Sequence, residues 1–178
     1  VLEPFPPFVP SSYRVKFADE AWEIAGARAL RCAVFCAEQK IFEGDDADAI
    51  DAYALPIVAV DMVAGEPHQV VGAVRIHEEE PGLWWGSRLA VAPRFRRIGA
   101  LGSGLIKVAV GSARDLGCRR FLAHVQAQNR PLFEHLHWRA LEPVELFGRP
   151  HWLMQATLAA YPAIAEPHQG IGLRRQAA

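Results

Sequence analysis

The stretch from Leu89 to Gly104 reads Leu-Ala-Val-Ala-Pro-Arg-Phe-Arg-Arg-Ile-Gly-Ala-Leu-Gly-Ser-Gly, with Arg94, Arg96 and Arg97 placed just ahead of Gly99, Gly102 and Gly104. An apolar strand pattern ends at Pro93, a basic turn follows, and an apolar helix pattern begins. The start of a helix leaves its first amide N–H groups without intrahelical partners, and the macrodipole adds partial positive charge there. Glycines let an anion come close to such a backbone. The chemistry this suggests is anion binding, and a diphosphate fits a turn of this length. A P-loop needs Gly-Lys-Ser/Thr after its glycines, which is absent here. The dinucleotide fingerprint runs G-x-G-x-x-G, whereas this chain has Gly99-x-x-Gly102-x-Gly104 and no βαβ repeat around it. The competing reading is a basic turn whose glycines serve helix–sheet packing.

Other reactive side chains suggest less. Cys32 and Cys36 stand four apart on a helical pattern and read as small packing residues rather than a redox pair. His135 and His137 are two apart, so on a helix they face away from each other and make no metal pair. Asp45, Asp46, Asp48 and Asp51 lack the glycine and terminal Glu of a calcium loop and read as an acidic, solvated loop. No metal is expected. Trp84, Trp85, Trp138 and Trp152 read as core or dimer-interface aromatics, so a homodimer is one expectation.

The elements that must carry these residues follow from periodicity. The prolines of residues 1–12 predict an extended leader. Tyr13–Phe17 alternates like a strand. Asp19 stands where a cap belongs, before a helix over Ala21–Gln39 with Trp22, Ala25, Ala29, Cys32 and Cys36 as its buried stripe. Leu55–Met62, Gln69–His77 and Leu83–Val91 read as an antiparallel meander joined by Gly65-Glu-Pro and Glu80-Pro-Gly82 turns. A helix over Ile98–Leu116 ends at Gly117, the natural left-handed terminator. A strand over Arg120–Gln126, a short helix over Asn129–Trp138 and a hairpin about Gly148-Arg-Pro150 complete the pattern, and residues 161–178 read as a mobile tail. Strands with one parallel crossover imply an α+β domain spanning residues 1–178.

Composition narrows the function classes. The chain has 178 residues, 51% hydrophobic and 22% charged, which suits one globular domain. With 19 basic and 20 acidic residues the formal charge is −1, so bulk attraction to nucleic acid or an anionic membrane is not expected. Three cysteines do not make a disulfide framework and suit a reducing, cytoplasmic setting. The proline-broken start reads as neither a signal peptide nor an anchor.

Three segments together resemble the GNAT acetyltransferase superfamily. Val91-Ala-Pro93-Arg-Phe-Arg96-Arg-Ile-Gly99-Ala-Leu101 is similar to its motif V-x-P-x-x-R-x-x-G-x-G/A, departing only where Leu101 replaces the second Gly or Ala and Gly102 follows. Arg31-Cys-Ala-Val34-Phe35-Cys-Ala-Glu38-Gln39 is similar to R-x-x-V-F-x-x-E-Q of a bacterial branch labelled nitrogen-starvation N-acetyltransferases, a segment that recurs in acyl-homoserine-lactone synthases. Phe133-Glu-His-Leu136-His-Trp138 resembles the F-Y-x-x-L-G-F segment.

The resemblance implies a mixed, mainly antiparallel sheet flanked by helices, with a splayed parallel strand pair at the cofactor site. It implies acetyl-CoA as cosubstrate, with Leu89, Ala90 and Val91 along the pantetheine arm. The turn of Arg96, Arg97, Ile98, Gly99, Ala100, Leu101 and Gly102 would hold the pyrophosphate, and Asn129 and Phe133 would line the other side. A small-molecule or protein amine would attack the thioester directly. Phe133 stands where the family often has a Tyr that protonates the leaving thiolate. A base is needed as well, because an alkylamine is protonated at neutral pH, and Glu38, His77, Glu78 and His124 are the candidates. Arg75 and Arg88 could bind an acceptor carboxylate. Two other readings stay open: a CoA-binding sensor or partner protein with weak catalysis, and an acyltransferase of the homoserine-lactone-synthase type.

Overall fold

The structure, a computed structural model, describes residues 8–175. Most of the expected leader, residues 1–7, and the last residues of the expected tail, 176–178, lie outside the described residues. Eight strands form a single sheet: β1 (Ser12–Phe17), β2 (Leu55–Val63), β3 (Glu66–Glu80), β4 (Leu83–Val91), β5 (Arg120–Gln126), β6 (Trp138–Leu146), β7 (Arg149–Ala156) and β8 (Ile171–Arg174). Their order is β6-β7-β5-β4-β3-β2-β1-β8. The pairing of β4 with β5 is parallel and the other strand pairs with a recorded register are antiparallel.

Helices α1 (Ala21–Cys32) and α2 (Gly99–Asp115) cover opposite faces. Alternation along β2 shows why: Ile57 and Ala59 join the core that holds Leu101, Leu105 and Val108 of α2, while Val58 and Val60 pack with Ala27 of α1. Both faces of β2 are therefore buried, which accounts for its apolar run from Leu55 to Val60. Helix α2 ends as expected, with Gly117 at φ 94°. Helix α3 (Arg130–His135) is short. The β6–β7 hairpin turns on Phe147 and Gly148, both left-handed at φ 54° and 67°, as a two-residue hairpin turn requires.

Helix α1 differs from its expected form. Its N-cap is Glu20, and Glu23 Oε2 accepts from the backbone N–H groups of Asp19 and Glu20 at 3.1 and 3.2 Å. The buried stripe is Glu23, Ala27 and Arg31, continued by Val34 and Phe35, whereas Trp22 is 40% exposed and Ala25 and Ala29 face solvent. The helix widens into a π turn over Ala33–Glu38, with the N–H of Gln39 reaching Val34 O at 2.8 Å. Such widenings re-aim side chains. Here Val34 and Phe35 turn onto Ala90 of β4.

The chain after Tyr161 is also not the free tail that was expected. Strand β8 pairs with β1 from Ser12↔Arg174 to Val15↔Ile171, and the backbone of Gly170 runs so close to Val15 and Lys16 that no side chain fits there. Tyr161 is buried.

Candidate active site

Strand β4 carries one residue more than β3 over a short stretch: Ala73 faces Ala90, but Arg75 faces Ser87. The extra residue is absorbed at Arg88, which sits at φ 57°. A bulge bends its strand. Strands β4 and β5 pair from Leu83↔Arg120 to Gly86↔Ala123 and then part, although both continue for several residues. A cavity of about 450 Å³ occupies this gap and reaches both faces of the sheet.

On the α2 side the gap is lined by Leu89, Val125, Asn129 and Phe133. Phe133 is buried edge-on to Trp138, ring centroids 5.1 Å apart. Trp138 Nε1 donates to Tyr161 Oη at 3.0 Å, and that hydroxyl donates to Leu136 O. Past the end of β4, a 3₁₀ turn over Pro93–Phe95 leads into α2, whose start has no side-chain cap. A Cβ added at Gly99 or Gly102 would meet nothing within 4 Å, so the packing of the chain does not require glycine at either position. Gly104 is different, because its Cβ would lie 2.6 Å from Leu173. The helix start thus leaves open space at two glycines and uses the third for packing.

The arginines of this turn are partly committed. Arg96 donates to Val91 O at 3.0 Å and makes a bidentate pair with Glu38 at 2.6 and 2.7 Å. Arg94 donates to Phe8 O. Arg97 is exposed. Glu38 is therefore a tether for the turn, and the hydrogen bonds from Arg96 hold its carboxyl below the usual range.

On the α1 side the gap opens into a chamber bordered by His77, Glu79, Trp85 and His124, with Phe42, Ile50 and Phe147 also lining it. Alternation along β3 turns His77 and Glu79 to this face. Glu78 points away and accepts the N–H of Gly82 at 2.7 Å, so it holds the β3–β4 turn. His77 is 7% exposed, and its Nδ1 is buried with no hydrogen-bond partner among the described residues. Burial, and next the nearby charge of Arg75, push its pKa down. The His124 ring lies 5.1 Å from the Trp85 ring, and burial, then the neighbouring His151, lower its pKa too. Trp85 Nε1 donates to Glu79 Oε2 at 2.8 Å. Of the four base candidates, His77 and His124 line the cavity; Glu38 and Glu78 do not. Sequence reasoning missed Glu79 and His151. The period-two pattern from Arg75 and His77 was the available signal for Glu79.

Arg75 and Arg88 were expected to bind a carboxylate, and each already holds carboxylates of this chain. Arg75 pairs with Asp48 at 2.7 and 2.8 Å and with Asp51 at 2.8 Å, and its Nε donates to Ser87 Oγ at 2.9 Å. Arg88 pairs with Asp46 at 3.1 Å and Asp48 at 3.2 Å, and its guanidinium lies 4.5 Å from the Phe42 ring centroid. Arg31 completes the network with Asp46 at 2.8 Å and Asp51 at 2.7 Å. Asp46 is 2% exposed, so this part of the acidic segment is interior rather than solvated. Burial opposes ionisation of Asp51, but hydrogen bonds from Arg31 and Arg75 outweigh it and hold its carboxyl far below the usual range.

Comparison with known proteins gives this geometry its context. The profile of the Acetyltransferase (GNAT) family matches residues 18–138. No curated protein sequence matches the chain. Among solved structures, a candidate N-acetyltransferase from Lactobacillus plantarum is 21% identical with a TM-score of 0.72, the match covering 82% of this chain and 98% of that one. An acyl-CoA N-acyltransferase from Pseudomonas aeruginosa is 20% identical with a TM-score of 0.66, over 82% and 98% of the two chains. The NatC complex bound to Gag peptide and CoA includes a chain 15% identical with a TM-score of 0.65, over 81% and 97%. These likenesses show the fold. The family match spans the bulged strand, the glycine turn and the strand gap, and the chain belongs to the acetyltransferase (GNAT) family.

Proposed function

We propose that the protein transfers an acetyl group from acetyl-CoA to a primary amine. The observation that carries this reading is the strand gap beside an uncapped helix start whose Gly99 and Gly102 leave room at the backbone. These residues fit a coenzyme A diphosphate: the amides at the uncapped start of α2, at Gly99 and Ala100, would face it, and exposed Arg97 would add charge. Leu89, Ala90 and Val91 flank the pantetheine path on β4, with Asn129 and Phe133 opposite. Acetyl-CoA supplies an activated acyl group on a thiol leaving group.

The residues on the α1 side of the gap handle the amine. An alkylammonium must lose a proton before it attacks. A lowered pKa keeps His77 and His124 neutral at pH 7, as a proton acceptor must be. Phe133 has no proton to give, and an alkyl thiol with a pKa of about 8.5 leaves tolerably as the thiolate. That same side chain supports the second reading, a CoA-binding sensor with weak catalysis. The narrower likeness to the nitrogen-starvation subgroup rests on Arg31–Gln39 and names no acceptor.

Titration calorimetry with acetyl-CoA tests the binding half, with a measurable affinity expected. No heat at millimolar ligand sinks the reading. Release of free thiol that depends on an added amine separates enzyme from sensor.

A further inference from the structure

We propose that the α1-side chamber selects a primary amine carried on an aromatic or apolar body and lacking a carboxylate, rather than an α-amino acid. This rests on the acetyl-transfer reading for its chemistry, but the selectivity is argued from the chamber itself.

Charge comes first. Among the described residues that line the cavity, the cations are Arg75 and Arg88. Both are held by Asp46, Asp48 and Asp51, and Arg31 balances the remaining carboxylate charge, so three arginines face three aspartates. An acceptor carboxylate entering here would find no uncommitted guanidinium and would lie near Glu79 and Asp48. An unpaired charge in a partly desolvated site is strongly disfavoured. An ammonium group meets the opposite situation, with the Glu79 carboxylate at the chamber edge and the Trp85 ring beside it.

Shape and hydrogen bonding agree. Trp85, Phe42 and Phe147 give flat apolar walls, and Phe42 is fixed from two sides, by Arg88 and by the edge of Phe147 at 4.9 Å. His77 is the buried imidazole of the cavity lining, beside the edge of the Tyr53 ring at 5.7 Å, and adds a polar side chain without a fixed charge. A nitrogen held at Glu79 and Trp85 leaves its apolar body against the aromatic walls.

The test compares partners that differ only in the carboxylate: tryptamine with tryptophan, and phenethylamine with phenylalanine. Calorimetry without coenzyme is expected to show binding of the amines at least about a hundredfold tighter than of the amino acids, roughly 2.7 kcal/mol. Glu79→Gln, a surface change that the fold tolerates, is expected to weaken tryptamine about tenfold and leave acetyl-CoA affinity unchanged. Thiol release with acetyl-CoA should follow the same order. Equal or tighter binding of the amino acids overturns the proposal, and so does the absence of any amine binding at millimolar concentration. Because amine binding is read without coenzyme, a failure of acetyl-CoA to bind defeats the acetyl-transfer reading and leaves this measurement decisive on its own.

Discussion

At Gly102 two demands on one side chain pull in opposite directions. The residue lies in the first turn of α2, where alanine is the better helix former and an added methyl meets nothing. Gly102→Ala should therefore stabilise the fold, by up to about 1 kcal/mol in urea unfolding. If the diphosphate approaches this backbone, the same change should weaken coenzyme affinity about tenfold, or 1.4 kcal/mol, by calorimetry. A gain in both, or a loss in both, argues against a ligand at this turn. Phe133 poses a catalytic question. Phe133→Tyr returns a hydroxyl to the cavity wall and should raise amine-dependent thiol release, toward the ~10²-fold typical of a general acid. Unchanged turnover means that protons reach the thiolate by another route.

Among the elements, the acidic segment between α1 and β2 has the most to reveal. It reaches under the bulge of β4 and joins α1, β3 and β4 through three arginines. Asp46→Ala leaves the guanidiniums of Arg31 and Arg88 short of a buried partner. It should cost about 3–5 kcal/mol in urea unfolding, the range for breaking a buried ion pair from one side. Acid should act on the same network. Asp48 and Asp51 have folded pKa values below their unfolded ones. Their contribution is present above the unfolded value of about 3.9 and is lost as pH falls through the folded value. His77 and His124 are also lowered, so below about pH 6.5 the unfolded chain takes up protons that the folded chain refuses. The urea midpoint should therefore fall modestly from pH 7.5 to 5.5 and more steeply below pH 4. A midpoint that rises toward acid contradicts both assignments.

For the molecule as a whole, the C-terminal chain closes the sheet. Strand β8 lies beside β1 at the edge of the sheet far from the site, and Leu173 packs into the space left by Gly104 on α2, one turn past the glycines that open that helix. A chain ending at Glu166 loses the burial of Ile171 and Leu173. It should be destabilised by at least about 2 kcal/mol on the usual scale for apolar side chains, measured by thermal or urea unfolding. A free tail would leave stability unchanged.

What could be read directly was whatever depends on neighbours in the chain. Apolar runs marked β2, β3 and β4, Gly117 marked the end of α2, and the arginines and glycines from Arg94 to Gly102 marked the basic turn between β4 and α2. These features follow from local periodicity and backbone freedom, and the resemblance of three segments to a known family implied the sheet that joins them. Charged residues misled for the opposite reason. Glu23, Arg31 and Asp46 look solvated in one dimension, and only partners brought close by the fold, Lys16 for Glu23 and Arg88 for Asp46, make their burial favourable. The same pairing commits Arg75 and Arg88 to carboxylates of this chain, and the face of β3 that holds His77 and Glu79 became a chamber only when β4 parted from β5. Strand β8 was hidden because its partner β1 lies at the other end of the chain. Tertiary structure decided the electrostatics of the site, because burial and pairing set a charge's energy and neither is a property of sequence neighbours.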